Sequence, residues 1–370
     1  MSFNDVKLGD VLTFQRGFDI TKSEQQDGSV PIVSSSGITS YHNKWKVQRP
    51  GVVIGRKGTL GTVHFLTENY WPHDTTLWIK DFKGNDPRFL SYFLKTLHLE
   101  NFDTGASNPT LNRNHLHKIK VRFPKLETQK KIAAILSAYD ELIENNQRRI
   151  ALLERMAEEL YRECFVRLRF PGYAQATFEK GVPVGWREKQ LGEILELCYG
   201  KALKENERES GDYLVFGSSG VIGTHNKALV NQPGIIVGRK GNVGSVHWSD
   251  RGFYPIDTVY YVKSDISNFY LFFLLQSMNF LNNDAAVPGL NRNQAYSNKF
   301  YLPLEPLIQK FASEAEKMFA LKQKLARQNE NLRTTRDMLL SRLISGKLSV
   351  ERLDLHFPPG MREGETLRQR

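Results

Sequence analysis

The sequence predicts an α+β chain in which two copies of one α/β-type domain are separated by two long antiparallel helices, paired as a coiled coil about an approximate two-fold axis. Three observations predict it. The chain repeats itself with a period near 180 residues, each copy holds short β-branched and aromatic runs broken by turn residues, and a long amphipathic stretch follows each copy.

The repeat is plain in the residues. SSSGITSYHNK at residues 34–44 returns as GSSGVIGTHNK at residues 217–227, an offset of 183. At the same offset PGVVIGRKGTLGTVH from Pro50 lies over PGIIVGRKGNVGSVH from Pro233, and PHDT from Pro72 lies over PIDT from Pro255. After a small length change, SNPTLNRN at residues 107–114 meets AVPGLNRN at residues 286–293 at an offset of 179. Such a period is far above the roughly 20 to 50 residues of solenoids or propellers, so the unit repeated is a globular domain with its connector. At 370 residues the chain is long enough for two cores.

Within the first copy VLTFQRG, VPIVSSSG, GVVIG, GTVHFL and TTLWIK read as strands and tight turns. FLSYFLKTL from Phe89 and FYLFFLLQS from Phe269 read as short helices, and KIKVRFP and KFYLPLEP return to strand. After Pro124, Ile132, Ile135, Tyr139, Leu142, Ile150, Leu153, Met156 and Leu160 recur at helical spacing between charges. After Pro306, Phe311, Met318, Leu321, Leu325, Leu332, Leu339 and Leu343 do the same, and Gly346 suits a helix stop. The expected domains are therefore 1–124, a long helix in 125–170, a second copy in 171–305, a second long helix in 306–348, and a tail, 349–370. A helix of about 40 residues is about 60 Å long, so an antiparallel pair acts as a ruler between the copies. Asn145 and Asn146 interrupt the first stripe, and Asn329 and Asn331 the second. Such residues either fix register across the pair or lie on a solvated face.

Composition narrows the function. The 51 Lys and Arg against 40 Asp and Glu give a net charge of +11, which leans toward a polyanionic partner such as nucleic acid. The two cysteines, Cys164 and Cys198, sit in unrelated settings and suggest neither a disulfide framework nor a zinc site. A reducing cytoplasm is the expected location. The start of the chain has no basic-then-apolar signal, and the longest purely apolar run, residues 269–275, is far too short for a membrane helix.

No catalytic or cofactor motif emerges. GRKGTLG and GRKGNVG fit neither nucleotide-binding glycine pattern. Asn108-Pro109-Thr110-Leu111 lacks the aromatic residue of an amino-methyltransferase motif, and the second copy has Val287 in place of Asn108. His42, His64, His225 and His247 recur between copies without an acid or cysteine at metal-ligand spacing, which favours structural hydrogen bonding over metal. Asp74-Thr75 and Asp257-Thr258 read as Asx-type turns in preference to catalytic carboxylates.

The candidate nucleic-acid contacts are cations that recur. Arg56-Lys57 and Arg239-Lys240 sit between glycines in a hairpin turn, expected to project two cations and nearby backbone N–H groups toward phosphates. Lys44, Lys227, Arg113 and Arg292 are similar candidates. Shared residues should grip phosphates, which look alike at every site, whereas base choice should fall to positions that differ. Those are residues 18–29 against 201–212, Tyr41 against Thr224, and Thr59-Leu60 against Asn242-Val243.

The residues now resemble a known family. PKLETQKKIAAILSAYDELIENNQRRIALLERMAEELYRECFV, the Gly-Arg-Lys-Gly turns, the Pro-x-Leu-Asn-Arg segments and the closing SRLISGKLSV are similar to the specificity subunit of type I restriction-modification systems. The resemblance spans residues 6–350. It implies a non-catalytic subunit that reads a bipartite, asymmetric double-stranded DNA target with one half-site per domain. It further implies two modification subunits that supply S-adenosylmethionine and methylate adenine, and restriction subunits that supply ATP-driven, magnesium-dependent translocation and cleavage. The residues after Val350 match nothing in the repeat. Three alternatives stay open: a subunit serving only a methyltransferase, a duplicated enzyme with an unrecognised site, and a helical scaffold that binds no DNA.

Overall fold

The computed structural model describes residues 3–102, 109–280 and 289–355. Ser107, Asn108, Ala286, Val287, Pro288 and the tail beyond residue 355 lie outside the described residues. The chain divides into two compact units, residues 1–145 with 328–370, and residues 146–327. Each unit therefore holds one copy of the repeated domain together with parts of both long helices.

In unit 1, β1 (Phe3–Lys7) leads through a short helix α1 (Leu8–Val11) to β2 (Thr13–Arg16), β3 (Val30–Ser34), β4 (Gly37–His42), β5 (Gly51–Gly55) and β6 (Val63–Leu66). Then come β7 (Trp71–Pro72), β8 (Thr76–Asp81), α2 (Pro87–Lys95), α3 (Arg113–Leu116), β9 (Lys120–Pro124) and the long helix α4 (Leu126–Tyr161). β2-β8-β5-β6 form a four-stranded sheet, β4-β3-β7 a three-stranded one, and β1 pairs with β9. All pairs are antiparallel except β3 with β7. Strand β5 is buried along its whole length, which is why GVVIG reads as a continuous run of small and apolar residues with no alternation.

Unit 2 repeats the plan. After a small hairpin, β10 (Phe178–Glu179) with β11 (Val182–Pro183), come β12 (Arg187–Gln190), β13 (Glu196–Tyr199), β14 (Tyr213–Gly217), β15 (Gly220–His225) and β16 (Gly234–Gly238). β17 (Val246–Ser249), β18 (Phe253–Pro255), β19 (Val259–Lys263), α5 (Asn268–Ser277), α6 (Arg292–Tyr296), β20 (Lys299–Leu302) and the long helix α7 (Glu305–Ile344) complete it. The sheets run β13-β19-β16-β17 and β15-β14-β18, and β12 pairs with β20, strand for strand as in unit 1.

The two long helices run antiparallel within each unit. In unit 1 Asp140 of α4 pairs with Arg336 of α7, and Asn329 donates to the Ile143 carbonyl at 3.3 Å. In unit 2 Glu154 pairs with Lys322 at 3.2 Å, and the Tyr161 and Phe311 rings meet at 5.8 Å. Residue numbers rise along one helix as they fall along the other. Asn146 and Asn329 are buried, whereas Asn145 and Asn331 are exposed. Helix α7 stops at Ile344, and Gly346 adopts φ 75°, the left-handed turn that a β-carbon disfavours.

The apolar stripe differs from expectation at three positions. Leu142, Met156 and Leu321 are exposed, whereas Leu136, Ile143, Ala157 and Phe319 are buried. A 3.6-residue helix drifts by about 20° per heptad against a strict repeat, so an apolar residue one place off the seam turns outward. Each seam also faces its own domain. Ile132, Leu136, Leu343 and Ile344 join Leu8, Phe14, Val52, Leu77, Phe89 and Phe93 in one core, and Ala157, Phe311, Ala315 and Phe319 join the corresponding core of unit 2. Among the described residues no helix is long and apolar enough to cross a membrane.

Candidate nucleic-acid interface

Three motifs that the two copies share converge on one turn. In unit 1 the β5–β6 hairpin carries Arg56 and Lys57. The chain can fold back because Gly55 lies against the Thr59 carbonyl, where an added β-carbon would come within 2.0 Å. Gly58 supplies the left-handed backbone at φ 77°. The N–H groups of Arg56 and Lys57 both donate to the Thr75 carbonyl, at 2.8 and 3.0 Å. The Leu111 N–H donates to the Arg56 carbonyl at 3.0 Å, and Lys57 bridges to Thr110. Thus GRKG, HDT and PTLNR meet. Arg113 follows as the first residue of α3, exposed, behind Asn112, which caps the helix by accepting from the Asn114 N–H.

Unit 2 reproduces each bond. The N–H groups of Arg239 and Lys240 donate to the Thr258 carbonyl at 2.9 and 3.1 Å, Leu290 donates to the Arg239 carbonyl at 2.8 Å, and Lys240 bridges to Gly289. Asn291 caps α6, which starts at Arg292.

This geometry corrects two expectations. The turn's Arg and Lys N–H groups do not point outward to bind phosphate, because a threonine carbonyl takes both. Nor do both cations project freely. Lys57 and Lys240 are exposed, but Arg56 is only part-exposed and turns its guanidinium to the Asp74 carbonyl at 3.5 Å, as Arg239 does to the Asp257 carbonyl at 3.0 Å. Burial and the neighbouring Arg16 charge lower the pKa of Arg56. Asp74 also departs from the Asx reading, since its side chain binds Arg16 Nη2 at 2.8 Å and lies 3.1 Å from His73 Nδ1. Burial pushes the Asp74 carboxyl up, but the Arg16 hydrogen bond and the charges of His73, Arg16 and Lys57 outweigh it and hold the group below the usual carboxylate range.

Lys44 stands apart from the turn, exposed in the loop after β4. It lines a hollow with Lys46 and Trp71, and a neighbouring hollow of about 480 Å³ is lined by Lys46, Trp71, Arg16, Phe18 and Asp74. Lys46 lies 4.8 Å from the Trp71 ring and 5.8 Å from Phe18. Lys227 is exposed after β15. In unit 2 Arg239 and Arg292 instead sit over one ring, Tyr199, at 4.9 and 5.3 Å.

Arg16, Lys46, Trp71 and Tyr199 were not among the sequence candidates. One signal could have found the first and last. Arg16 and Tyr199 differ in type at the 183-residue offset, just before the aligned Gly17 and Gly200. The recurring histidines serve the backbone: His42 Nδ1 accepts from the Gln26 N–H, His225 Nδ1 from the Glu209 N–H, and the Nε2 atoms of His64 and His247 meet the Ser35 and Ser218 carbonyls. Asp19, His73 and Asp74 bring ligand-type atoms within 4.8 Å of one another, but Asp74 is already satisfied by Arg16 and His73.

The chain is similar to known proteins. The family model described as "Type I restriction modification DNA specificity domain" matches residues 2–155 and again 183–330. The chain is 25% identical over 306 residues to the type I restriction enzyme MjaIX specificity subunit of Methanocaldococcus jannaschii, covering 72% of this chain and 70% of that one. Its fold is similar to the crystal structure of a type I restriction-modification S subunit from M. genitalium, with a TM-score of 0.60 at 17% identity, covering 92% of this chain and 96% of that one. With the specificity domain present twice, each copy on the same converging motifs, the chain belongs to the type I restriction-modification specificity subunits.

Proposed function

We propose that each unit reads one half of a bipartite double-stranded DNA target, and that the chain hands this choice to partner subunits that do the chemistry. The observation that carries the reading is the duplicated turn: the same cations are held by the same backbone bonds in both units. A device that must meet two DNA segments of different sequence needs identical phosphate grips and unlike base readers. Lys57, Lys240, Arg113 and Arg292 are the phosphate contacts, Lys44 and Lys227 flank them, and Arg56 and Arg239 hold the turn as much as they attract DNA. Two modification subunits bring S-adenosylmethionine and transfer a methyl group to adenine, restriction subunits bring ATP and magnesium, and the assembly works in the cytoplasm.

The test is co-expression with a modification subunit and genome-wide mapping of methylated adenines. A two-part motif with a fixed unread spacer is expected, and random or absent methylation overturns the reading. Replacing Lys57 and Lys240 with Ala is expected to weaken DNA binding for all sequences alike and to flatten its salt dependence. Unchanged affinity would remove these contacts.

A further inference from the structure

At the end of edge strand β2, Arg16 has a single side-chain hydrogen bond among the described residues, the 2.8 Å bond to Asp74. Its side chain is 54% exposed, whereas that of Asp74 is 20% exposed. A guanidinium has five donors in a planar fork. One donor is held by the part-buried Asp74 carboxylate, and Arg16, with donors left over, lines the same hollow as Phe18, Lys46 and Trp71. As a plain surface ion pair this arrangement would contribute little.

The second copy shows what is constant and what varies there. Gly17 and Gly200 both lie against a backbone carbonyl, His73 and Ile256, where an added β-carbon would come within 2.0 and 2.1 Å. Arg16 pairs with Leu77 across β2–β8, and Tyr199 pairs with Tyr260 across β13–β19, the same register 183 residues on. From Phe14 and Leu197 onward the register is retained, while the side chain presented at the strand's end changes from Arg16 to Tyr199. Phosphate contacts have no reason to differ between half-sites, and base contacts do.

We propose that Arg16 is a base-reading residue that donates two hydrogen bonds to the O6 and N7 edge of a guanine in the half-site of unit 1, with Asp74 as the positioning residue that sets its plane. The inference rests on the reading that each unit recognises one half-site. Lys46, held over Trp71, supplies positive charge beside the base reader.

The experiment uses the assembled methyltransferase and maps the methylated motif for the wild type and for Arg16→Ala, Arg16→Lys and Asp74→Asn. A wild type that directs no bipartite methylation removes the functional reading and this inference together. Given a wild-type motif, Arg16→Ala is expected to lower discrimination at one guanine of one half-site by about 10- to 100-fold and to leave the other half-site unchanged. Arg16→Lys keeps the charge and the ion pair but loses the planar fork, so it is expected to relax the same base. A lysine variant with the wild-type motif, or an alanine variant whose methylation falls at all sites alike, would overturn the proposal. Asp74→Asn keeps the shape and is expected to relax that base partially. An equal loss at every site would instead mark Asp74 as a support of the turn and remove its positioning role.

Discussion

Where the long helices seat against the two domains, the same backbone is filled in opposite ways. In unit 1 Asp140 of α4 accepts from the Tyr92 hydroxyl of α2 and pairs with Arg336 of α7. Burial raises the Tyr92 pKa, with the Asp140 charge and hydrogen bond adding to it. At the 179-residue offset of the helices, Phe319 stands for Asp140 and Ala157 for Arg336, and aligning α2 with α5 at their N-caps puts Phe273 for Tyr92. Phe273 and Phe319 are 6.2 Å apart in a cluster with Trp248, Phe269, Phe272 and Phe311. Either filling satisfies the same topology, but the two respond differently to substitution. The aromatic seat depends on buried volume, so truncating one ring leaves a cavity, whereas the part-exposed charged seat depends on keeping its partners and retains solvent as a substitute.

The largest effect is expected in unit 2. Phe319 is 5% exposed, and Phe319→Ala should cost about 3–5 kcal/mol through lost burial and the cavity left behind. Denaturant unfolding measures the loss, and hydrogen exchange should place it in residues 146–327. A cost under about 1 kcal/mol would show that the cluster collapses around the gap. In unit 1, Asp140→Ala leaves the Tyr92 hydroxyl without its acceptor and leaves Arg336 with Asp337 alone. The side chains of Asp140 and Arg336 are 35% and 25% exposed, so the cost should fall below that of a fully buried pair, at about 2 kcal/mol. Its loss of protection should lie in residues 1–145 and 328–355. Importing the trio of unit 2, as Tyr92→Phe, Asp140→Phe and Arg336→Ala together, should recover most of that loss, because well-packed apolar groups replace an ion pair at little net cost. A triple variant no better than Asp140→Ala would show that the two seats differ in backbone spacing as well as in chemistry.

The comparison also shows what the sequence could tell. The duplication, the strand segments and the two long helices follow from repeats, turn residues and spacing, because hydrophobic periodicity encodes them locally, whereas the strand order within each sheet depends on contacts far apart in the chain. Leu142 turns outward, and Phe319, one place beyond Met318, is buried, because one helix presents stripes both to its partner helix and to its domain, and a single-seam pattern cannot separate them. In the site, Lys57, Lys240 and Arg113 were legible as recurring cations. The hold of Thr75 on the turn was not, since it acts through a carbonyl that every residue has. The Arg16–Asp74 pair joins residues 58 positions apart and has no echo in unit 2, so the repeat that reveals the frame hides this contact.

The smallest expected effect is one of pH, and it again separates the units. At the start of β2 the Phe14 N–H donates to Nε2 of His117 at 3.0 Å, with the two rings stacked at 5.8 Å. In unit 2 the equivalent Leu197 N–H donates to the Tyr296 hydroxyl at 2.9 Å. Burial, with the charges of Lys83 and Arg113, lowers the His117 pKa below its ordinary 6.5. Only the neutral ring can accept from Phe14, so the unfolded chain takes up this proton first as pH falls. The contribution to stability is therefore complete above about pH 6.5 and is lost as pH drops through the lowered folded value. Asp74, also in unit 1, titrates below the ordinary carboxylate range, whereas burial raises the Asp86 carboxyl, whose protonation on acidification acts in the opposite direction to that of His117. Hydrogen exchange corrected for intrinsic rates should show unit 1 weakening against unit 2 between pH 7 and about 5.5. His117→Tyr should abolish the difference, and a difference that survives the substitution would place its source elsewhere. Because Phe14 lies two residues before Arg16 on the same strand, loosening at His117 should reach the end of β2 first, ahead of the core strands β5 and β8.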